Sequence, residues 1–530
     1  MDLSTIAVCI AFSVVVASYC GNWLTRWTFR HIPGPTPQFP LGNMKTVRQK
    51  QIFQAQKDWS SEYGDICKFW MVRKPILLIT DPKVVQQVTI KQFSHFRETF
   101  MPIIDNPLLS GAASEGAKSM MIVAKGQLWG TLRAGAQPMF HSANLSTYAG
   151  TINKAVDALI ANLHAIARSG REVNIFQPLG QMTLQVTGVA AFGVNLECQR
   201  DISEEEGMLV SAAKTVFASS APSLWMLAAM LAPPPLVPLI RGLASAFPGK
   251  TLSGLFQAYE ALYDISACLI QNTKRKLNKD AVSSSSWLWF KRNADNPYKD
   301  ATPSENSIIP TLLRANNKST GVPLSDLQIA AQTNLIMLAG YETTAVAMTY
   351  CIYLLSKHPQ AQERLIKEAD AFKGQPSYEQ LDQFPYAAAV LSEALRLFPP
   401  ATVFSREATQ DAQVGPYRVP KATALHISVY ALHHDERWWQ DAEAFKPERW
   451  IGDKTGGDRS GGLAYLPFGS GPRMCIGYKL ALEEAIIALV RLYQQFTFRL
   501  SESCTEPLSL RQSITMSPKE GVPVYVTERR

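Results

Sequence analysis

"FGSGPRMCIG", residues 468–477, sets one cysteine among three glycines, a proline and an arginine. A thiol that only fills a core asks for apolar, regular neighbours. This one sits in a loop built to bend: Gly469 and Gly471 let the chain turn tightly, and Pro472 stiffens the turn. Past Gly477, "YKLALEEAIIALVRLYQQF" (478–496) reads as an amphipathic helix. The Cys475 sulfur therefore lies at a helix N-terminus, where unpaired N–H groups and the positive dipole end favour an anion. Arg473, two residues earlier, is a permanent cation able to pair with a carboxylate. The loop thus makes a thiolate and holds it against something that carries acidic groups. A haem, with its iron and two propionates, meets both needs.

The rest of the composition narrows the class. The chain has 530 residues, 46% of them hydrophobic and 18% charged, with a net charge of +8. Its lysines and arginines are scattered rather than striped, which argues against nucleic acid and fits a membrane surface or an acidic partner. The eight cysteines show no CxxC pair and no regular spacing, so neither a disulfide framework nor a zinc site is expected. "STIAVCIAFSVVVASYCGNWL" (4–24) carries no charge and is long enough to cross a bilayer as a helix. Asp2 precedes it, and Arg26, Arg30 and Lys45 follow it, so residues 1–25 are expected to anchor a cytosolic body. "HIPGPTPQFPLGN" (31–43), within a hinge at 26–43, is too rich in proline for a helix or central strand. Residues 44–530 then form the body.

Within the body, "GDICKFWMVRKPILLITDP" (64–82) offers two short β-rich runs around Arg73-Lys74, with a helix after Pro82. From residue 150 onward the pattern is mostly helical. "APSLWMLAAMLAPPPLVPLI" (221–240) is apolar but holds five prolines, and is expected either in the core or as an apolar lid. The polar 283–306 stretch reads as a surface loop. The strongest helix runs from 325 to 357, opened by a Ser325/Gln328 capping box and stopped by His358-Pro359. It is apolar almost all round, so it must pass through the centre of one large, mainly α fold with small β-sheets. Length alone predicts about three domains; the pattern predicts one.

Phe468-x-x-Gly471-x-Arg473-x-Cys475-x-Gly477 resembles the haem-thiolate signature of the cytochromes P-450. "AGYETT" (339–344) is similar to that family's central-helix motif, "EALR" (393–396) to its Glu-x-x-Arg pair, and "FKPERW" (445–450) to its Pro-Glu-Arg segment. "WGTLR" (129–133) matches Trp-x-x-x-Arg, followed by "QPMF" (137–140). The resemblance covers nearly the whole chain, and its wording is nearest to the microsomal drug- and steroid-oxidising branch of vertebrates. It implies the cytochrome P-450 fold behind one transmembrane helix. It also implies a haem b with Cys475 as axial ligand, and O2 and NADPH-derived electrons as co-substrates. Trp129, Arg133, Arg406, Arg473 and Phe468 would then hold the haem, and Glu393, Arg396 and Arg449 would form a structural network.

Some roles follow from the residue types alone. Gly340 removes a side chain where oxygen would need room, and Thr343 can loosen the helix by bonding back to a carbonyl. Glu342 beside Thr343 places an acid next to an alcohol, suited to relaying the protons that O–O cleavage consumes. Glu393 and Arg396, at i and i+3, can pair directly. His433-His434-Asp435 is read as structural rather than metal-binding. Substrate contacts are expected from "SMMIVA" (119–124), from 221–240, and near Leu338 and Ala339.

The chain holds no Gly-rich dinucleotide or flavin motif, so electrons must come from another protein. By resemblance that is a membrane-bound NADPH-cytochrome P-450 reductase, with cytochrome b5 as an alternative donor, docking on the cysteine face near Lys479. The expected product is a single-pass protein of the endoplasmic reticulum membrane that oxidises an apolar small molecule: a lipid, sterol, terpenoid or xenobiotic. Two rivals are a peroxide-rearranging haem-thiolate isomerase or lyase, and a non-catalytic haem carrier. The Glu342/Thr343 pair argues against both.

Overall fold

The computed structural model describes residues 25–529 except 39, 103–110, 197, 200–207, 219–222, 233, 278–297, 299, 316–320, 453–456 and 461. The expected anchor at 4–24 and most of the 283–306 loop lie outside the described residues. The 31–43 stretch is docked along the first strand rather than standing free. The Lys68 N–H donates to the Pro33 carbonyl at 2.8 Å, and Phe29 and Ile32 are buried.

The expected β-runs are strands β1 (Ile66–Met71) and β2 (Lys74–Ile79), paired antiparallel with Ile66 opposite Ile79. Asp81 then caps the short helix Pro82–Gln86 by accepting from the Lys83 and Val84 N–H groups. The sheet is completed from distant sequence by β3 (Val403–Glu407) and β4 (Ala424–Ser428), in the order β1-β2-β4-β3. Only the β2–β4 contact is parallel, which suits two strands 350 residues apart that no hairpin could join. A hairpin of β5 (Leu510–Gln512) and β6 (Met516–Pro518) lies near the C-terminus.

The helices that build the site are α1 (Gly126–Ala136), α2 (Phe176–Phe192), α3 (Met208–Ala218), α4 (Asp326–Lys357), α5 (Pro385–Leu397) and α6 (Tyr478–Gln495). Helix α4 starts at the expected capping box: Gln328 N–H donates to Ser325 Oγ and Ser325 N–H to Gln328 Oε1. It spans about 48 Å at ~1.5 Å per residue, and nearly every residue from Ile329 to Leu355 is buried. That explains why a segment apolar enough to cross a membrane is instead the core of the body.

Helix α4 packs most extensively on α2, and the approach is close. A Cβ on Gly340 would lie 2.2 Å from Thr187 Cγ2, and one on Gly180 would lie 3.1 Å from the Tyr341 ring. This corrects the reading of Gly340: its missing side chain serves the α2–α4 contact. Thr183 Oγ1 locks the same contact by donating to the Tyr341 carbonyl at 2.8 Å.

The core reading of 221–240 does not hold for its described part. Its prolines start helices: Pro234–Leu236 forms a 3-10 turn, and Val237–Ala246 follows with proline in its first turn. Met226, Ala229, Ala244 and Leu252 form only a small cluster of their own, while Leu224, Leu239 and Phe247 stand 62–80% exposed.

Candidate active site

The cysteine loop folds as its residues require. Gly469 and Gly471 take φ of +74° and +73°, in the left-handed region that side chains resist. A Cβ on Gly471 would also sit 1.9 Å from the Thr89 carbonyl oxygen. The Met474 N–H donates to Gly471 O and the Cys475 N–H to Phe468 O, each at 2.9 Å, closing the turn beneath the sulfur. Cys475 precedes Gly477, the N-cap of α6. Its side chain is accessible to solvent. Burial pushes the thiol above its ordinary value and outweighs the Gly477 N–H and Arg133, which pull it down. The loop alone therefore does not make the thiolate; a coordinated metal cation, whose charge deprotonates a thiol outright, would complete it.

Around the cysteine the chain gathers cations. Helix α1 presents Trp129 and Arg133 one turn apart, and Arg133 Nη1 donates to the Met474 carbonyl at 2.7 Å. Arg473 turns to protein partners: its guanidinium donates to the Arg97 and Ala124 carbonyls, stacks 4.6 Å from Trp129, and lies 3.6 Å from Glu98. Arg406 on β3 is the contrasting case. It is 3% exposed, donates to the Ser405 and Ser470 carbonyls, and keeps a buried Nε with no partner. Burial and the nearby Arg473 push it down to about 9. No carboxylate pairs with it among the described residues. Phe468 packs beside Tyr478, ring centroids 6.1 Å apart. The structure adds Arg97, which faces Arg473 closely enough to disfavour its charge. No sequence signal marks it, since Arg97 belongs to no spaced motif.

A buried guanidinium with no counter-charge is costly, and a dianion beside it offsets that cost. An accessible thiol on a loop flanked by arginines is the donor set that a haem with two propionates requires, so the residues present fit the group.

On α4, Ala339 is exposed and Thr343 half-buried, one turn apart on the same face. Thr343 Oγ1 donates to the Ala339 carbonyl at 2.7 Å, the back-bond expected of it. Glu342 points elsewhere, because neighbouring helix positions differ by about 100°. It is 1% exposed, its Oε1 accepts from Thr515 Oγ1 at 2.7 Å, and its Oε2 has no partner among the described residues. Burial pushes this carboxyl up to about 7, against the opposing pull of Thr515 and Arg511. Acid and alcohol are thus adjacent on the helix without being hydrogen-bonded to each other. Of the expected substrate contacts, Ile122 and Ala339 are exposed, whereas Met120, Met121, Val123, Ala124 and Leu338 are buried. Ile514, at the tip of the β5–β6 hairpin, is 49% exposed. An open groove of about 480 Å³ behind α1, lined by Thr131, Pro138 and Arg314 among others, contains none of the site residues.

Beneath the cysteine loop the structure brings Glu393, Arg396 and Arg449 together. Glu393 and Arg396 form a fully buried bidentate pair at 2.9 and 3.0 Å, and Arg449 Nε donates to Glu393 Oε1 at 3.0 Å. Trp450 Nε1 fills the second oxygen at 3.0 Å, a partner the sequence reading missed. His433 is structural: its Nε2 accepts from the Leu466 N–H, which leaves Nδ1–H to donate to the Arg396 carbonyl. No metal-ligand cluster of three His, Cys, Asp or Glu exists among the described residues.

Comparison with known proteins covers the same ground. The family model described as Cytochrome P450 matches residues 32–523. The chain is 28% identical over 543 residues to a Thromboxane-A synthase of Mus musculus, covering 99% of this chain and 97% of that protein. It is 29% identical over 505 residues to Cytochrome P450 3A5 of Homo sapiens, covering 94% and 91% respectively. Cytochrome P450 3A13 of Mus musculus matches at 30% over 505 residues with the same coverage.

Proposed function

The chain belongs to the cytochrome P450 family, and on that premise we propose that Cys475 is the thiolate ligand of its haem and that Glu342 and Thr343 deliver protons during oxygen activation. It is a haem-thiolate monooxygenase, an oxidoreductase that uses O2 and NADPH-derived electrons. Bound there, the haem supplies the redox chemistry that activates O2.

The protein's own side chains do the rest. Cys475 Sγ holds the iron at the N-terminus of α6. Arg406 and Arg133, with Trp129 and Phe468, would seat the haem and its propionates, Arg406 carrying the largest share because no carboxylate pairs with it among the described residues, while Arg473 braces the site through the Arg97 and Ala124 carbonyls. Thr343 places a hydroxyl on the cavity face of α4. Glu342, one position away, holds a proton near neutrality. Glu393, Arg396 and Arg449 fix the floor without chemistry. The single observation that carries the reading is an accessible Cys475 on a loop bonded by Arg133 and Arg406, the latter buried with no carboxylate partner among the described residues.

The substrate is apolar. Residues 1–25 anchor the chain in the endoplasmic reticulum membrane as a single pass, 26–43 form the hinge and 44–530 the haem domain. The exposed Leu224, Leu239 and Phe247 rest against the bilayer. Electrons arrive from NADPH-cytochrome P450 reductase on the cysteine face near Lys479, an encounter that weakens with salt. A second reading is rearrangement of a peroxide without external electrons.

NADPH-dependent O2 uptake by protein plus reductase separates the two readings. The monooxygenase consumes both with an apolar substrate, and Thr343→Ala keeps that consumption while losing product. Peroxide rearrangement with no NADPH-dependent uptake overturns the proposal, and product yield in Thr343→Ala equal to wild type overturns the relay.

A further inference from the structure

The contact between Glu342 and Thr515 joins residues 173 positions apart, and it assigns a role to the hairpin. Both side chains are buried, at 1% and 2% exposure. Among the described residues, the Thr515 hydroxyl is the one hydrogen-bond partner of the carboxyl. A hydroxyl that donates to Oε1 leaves that oxygen as an acceptor only. With the carboxyl ionised, Oε1 is thus held by the hydroxyl, while Oε2 has no partner among the described residues.

The hairpin is built to hold this hydroxyl still. Ser513 Oγ donates to the Phe217 carbonyl at the end of α3, at 2.6 Å. Tyr350 of α4 donates to the Met516 carbonyl at 3.2 Å, and Gln512 Oε1 accepts from Thr402 at 2.8 Å. Thr515 is thus flanked by residues pinned to α3, to α4 and to the segment before β3, which hold its backbone in place.

We propose that Thr515 is a positioning residue for proton delivery, whose hydroxyl fixes the rotamer of Glu342 and steadies its ionised form through Oε1. The proposal rests on the reading of Glu342 and Thr343 as the relay. The carboxyl would give its proton towards the Thr343 side of the helix during oxygen activation and be reprotonated afterwards. The charged and titratable groups that bear on the carboxyl are Arg511 of β5, which favours its ionised form, and Tyr350 of α4.

Thr515→Val removes the O–H at nearly constant volume, and Thr515→Ser restores it. The first readout is independent of turnover: the protonated-carboxyl infrared band of Glu342, assigned by its loss in Glu342→Gln, followed against pH. Losing a donor to the ionised form raises the titration midpoint, by about one unit for one charge-assisted bond. The second readout is product formed per NADPH consumed, expected to fall about tenfold in Thr515→Val and to recover in Thr515→Ser. Haem content and the substrate-induced spectral shift stay at wild-type values. Wild-type midpoint and coupling in Thr515→Val, with Glu342→Gln uncoupled, overturn this proposal alone. Full coupling in Glu342→Gln overturns the relay, and this proposal with it.

Discussion

Replacing Arg406 by methionine separates a cation that holds the cofactor from cations that hold the fold. Arg406 is held from 12.5 down to about 9 by burial and by Arg473. At ~1.4 kcal/mol per unit, that gap corresponds to an upper figure of about 5 kcal/mol spent on keeping the charge inside. A propionate paired to the guanidinium returns about 1.5–3 kcal/mol as a charge-assisted bond. Arg406→Met should therefore speed haem loss roughly 10- to 150-fold, while the haem-free protein melts at a higher temperature because the unmatched charge is gone. Haem transfer to an excess of acceptor apoprotein measures the first quantity, and thermal unfolding of the haem-free chain the second. Arg473→Met behaves differently, because its donors are committed to the Arg97 and Ala124 carbonyls. It should lower the melting temperature of both forms. Wild-type haem retention in Arg406→Met combined with rapid loss in Arg473→Met refutes the reasoning.

Two further outcomes follow from buried carboxyls. Glu393→Ala leaves Arg396, Arg449 and Trp450 without their shared acceptor, and should cost about 3–5 kcal/mol, read as a large drop in denaturation midpoint and in haem-loaded yield; a loss below ~1 kcal/mol would contradict the fully buried geometry. Glu483 of α6 is fully buried with both oxygens unpartnered, and burial with the nearby Glu379 pushes it up to about 8. A carboxyl raised in the fold contributes stability that is present below about 4.5 and lost as pH climbs through about 8. Glu483→Met should thus gain little at pH 5 and roughly 2–5 kcal/mol at pH 8.5, and a gain independent of pH would show that the wild-type group is not titrating there.

Features set by near neighbours were legible from the chain. The Gly469–Gly477 loop, the Ser325/Gln328 box and the β1–β2 turn each depend on a few adjacent residues, and all formed as read. The site residues were recognisable as types, but their partners were not. Nothing near Glu342 in sequence announces Thr515, and nothing near Glu393 announces that Trp450 and the Lys446 N–H complete its bonds. Glycine at 340 was legible as a missing side chain, yet only the α2–α4 contact tells that Thr187 fills the space. The same limit explains 221–240: apolar composition says that a face avoids water, not whether protein covers it. Arginine at 473 was marked by its place beside Cys475, whereas the loose pattern around 406 gave no hint that its guanidinium is buried without a carboxylate among the described residues.

The central claim is that Cys475 presents a thiolate to haem iron, and the absorption spectrum of the reduced, carbon monoxide-bound protein tests it most directly. The full chain should show the red-shifted Soret band of thiolate ligation, and Cys475→Ala should lack it while the Glu393–Arg396 network remains folded. A wild-type spectrum without that band, or its persistence in Cys475→Ala, contradicts the account.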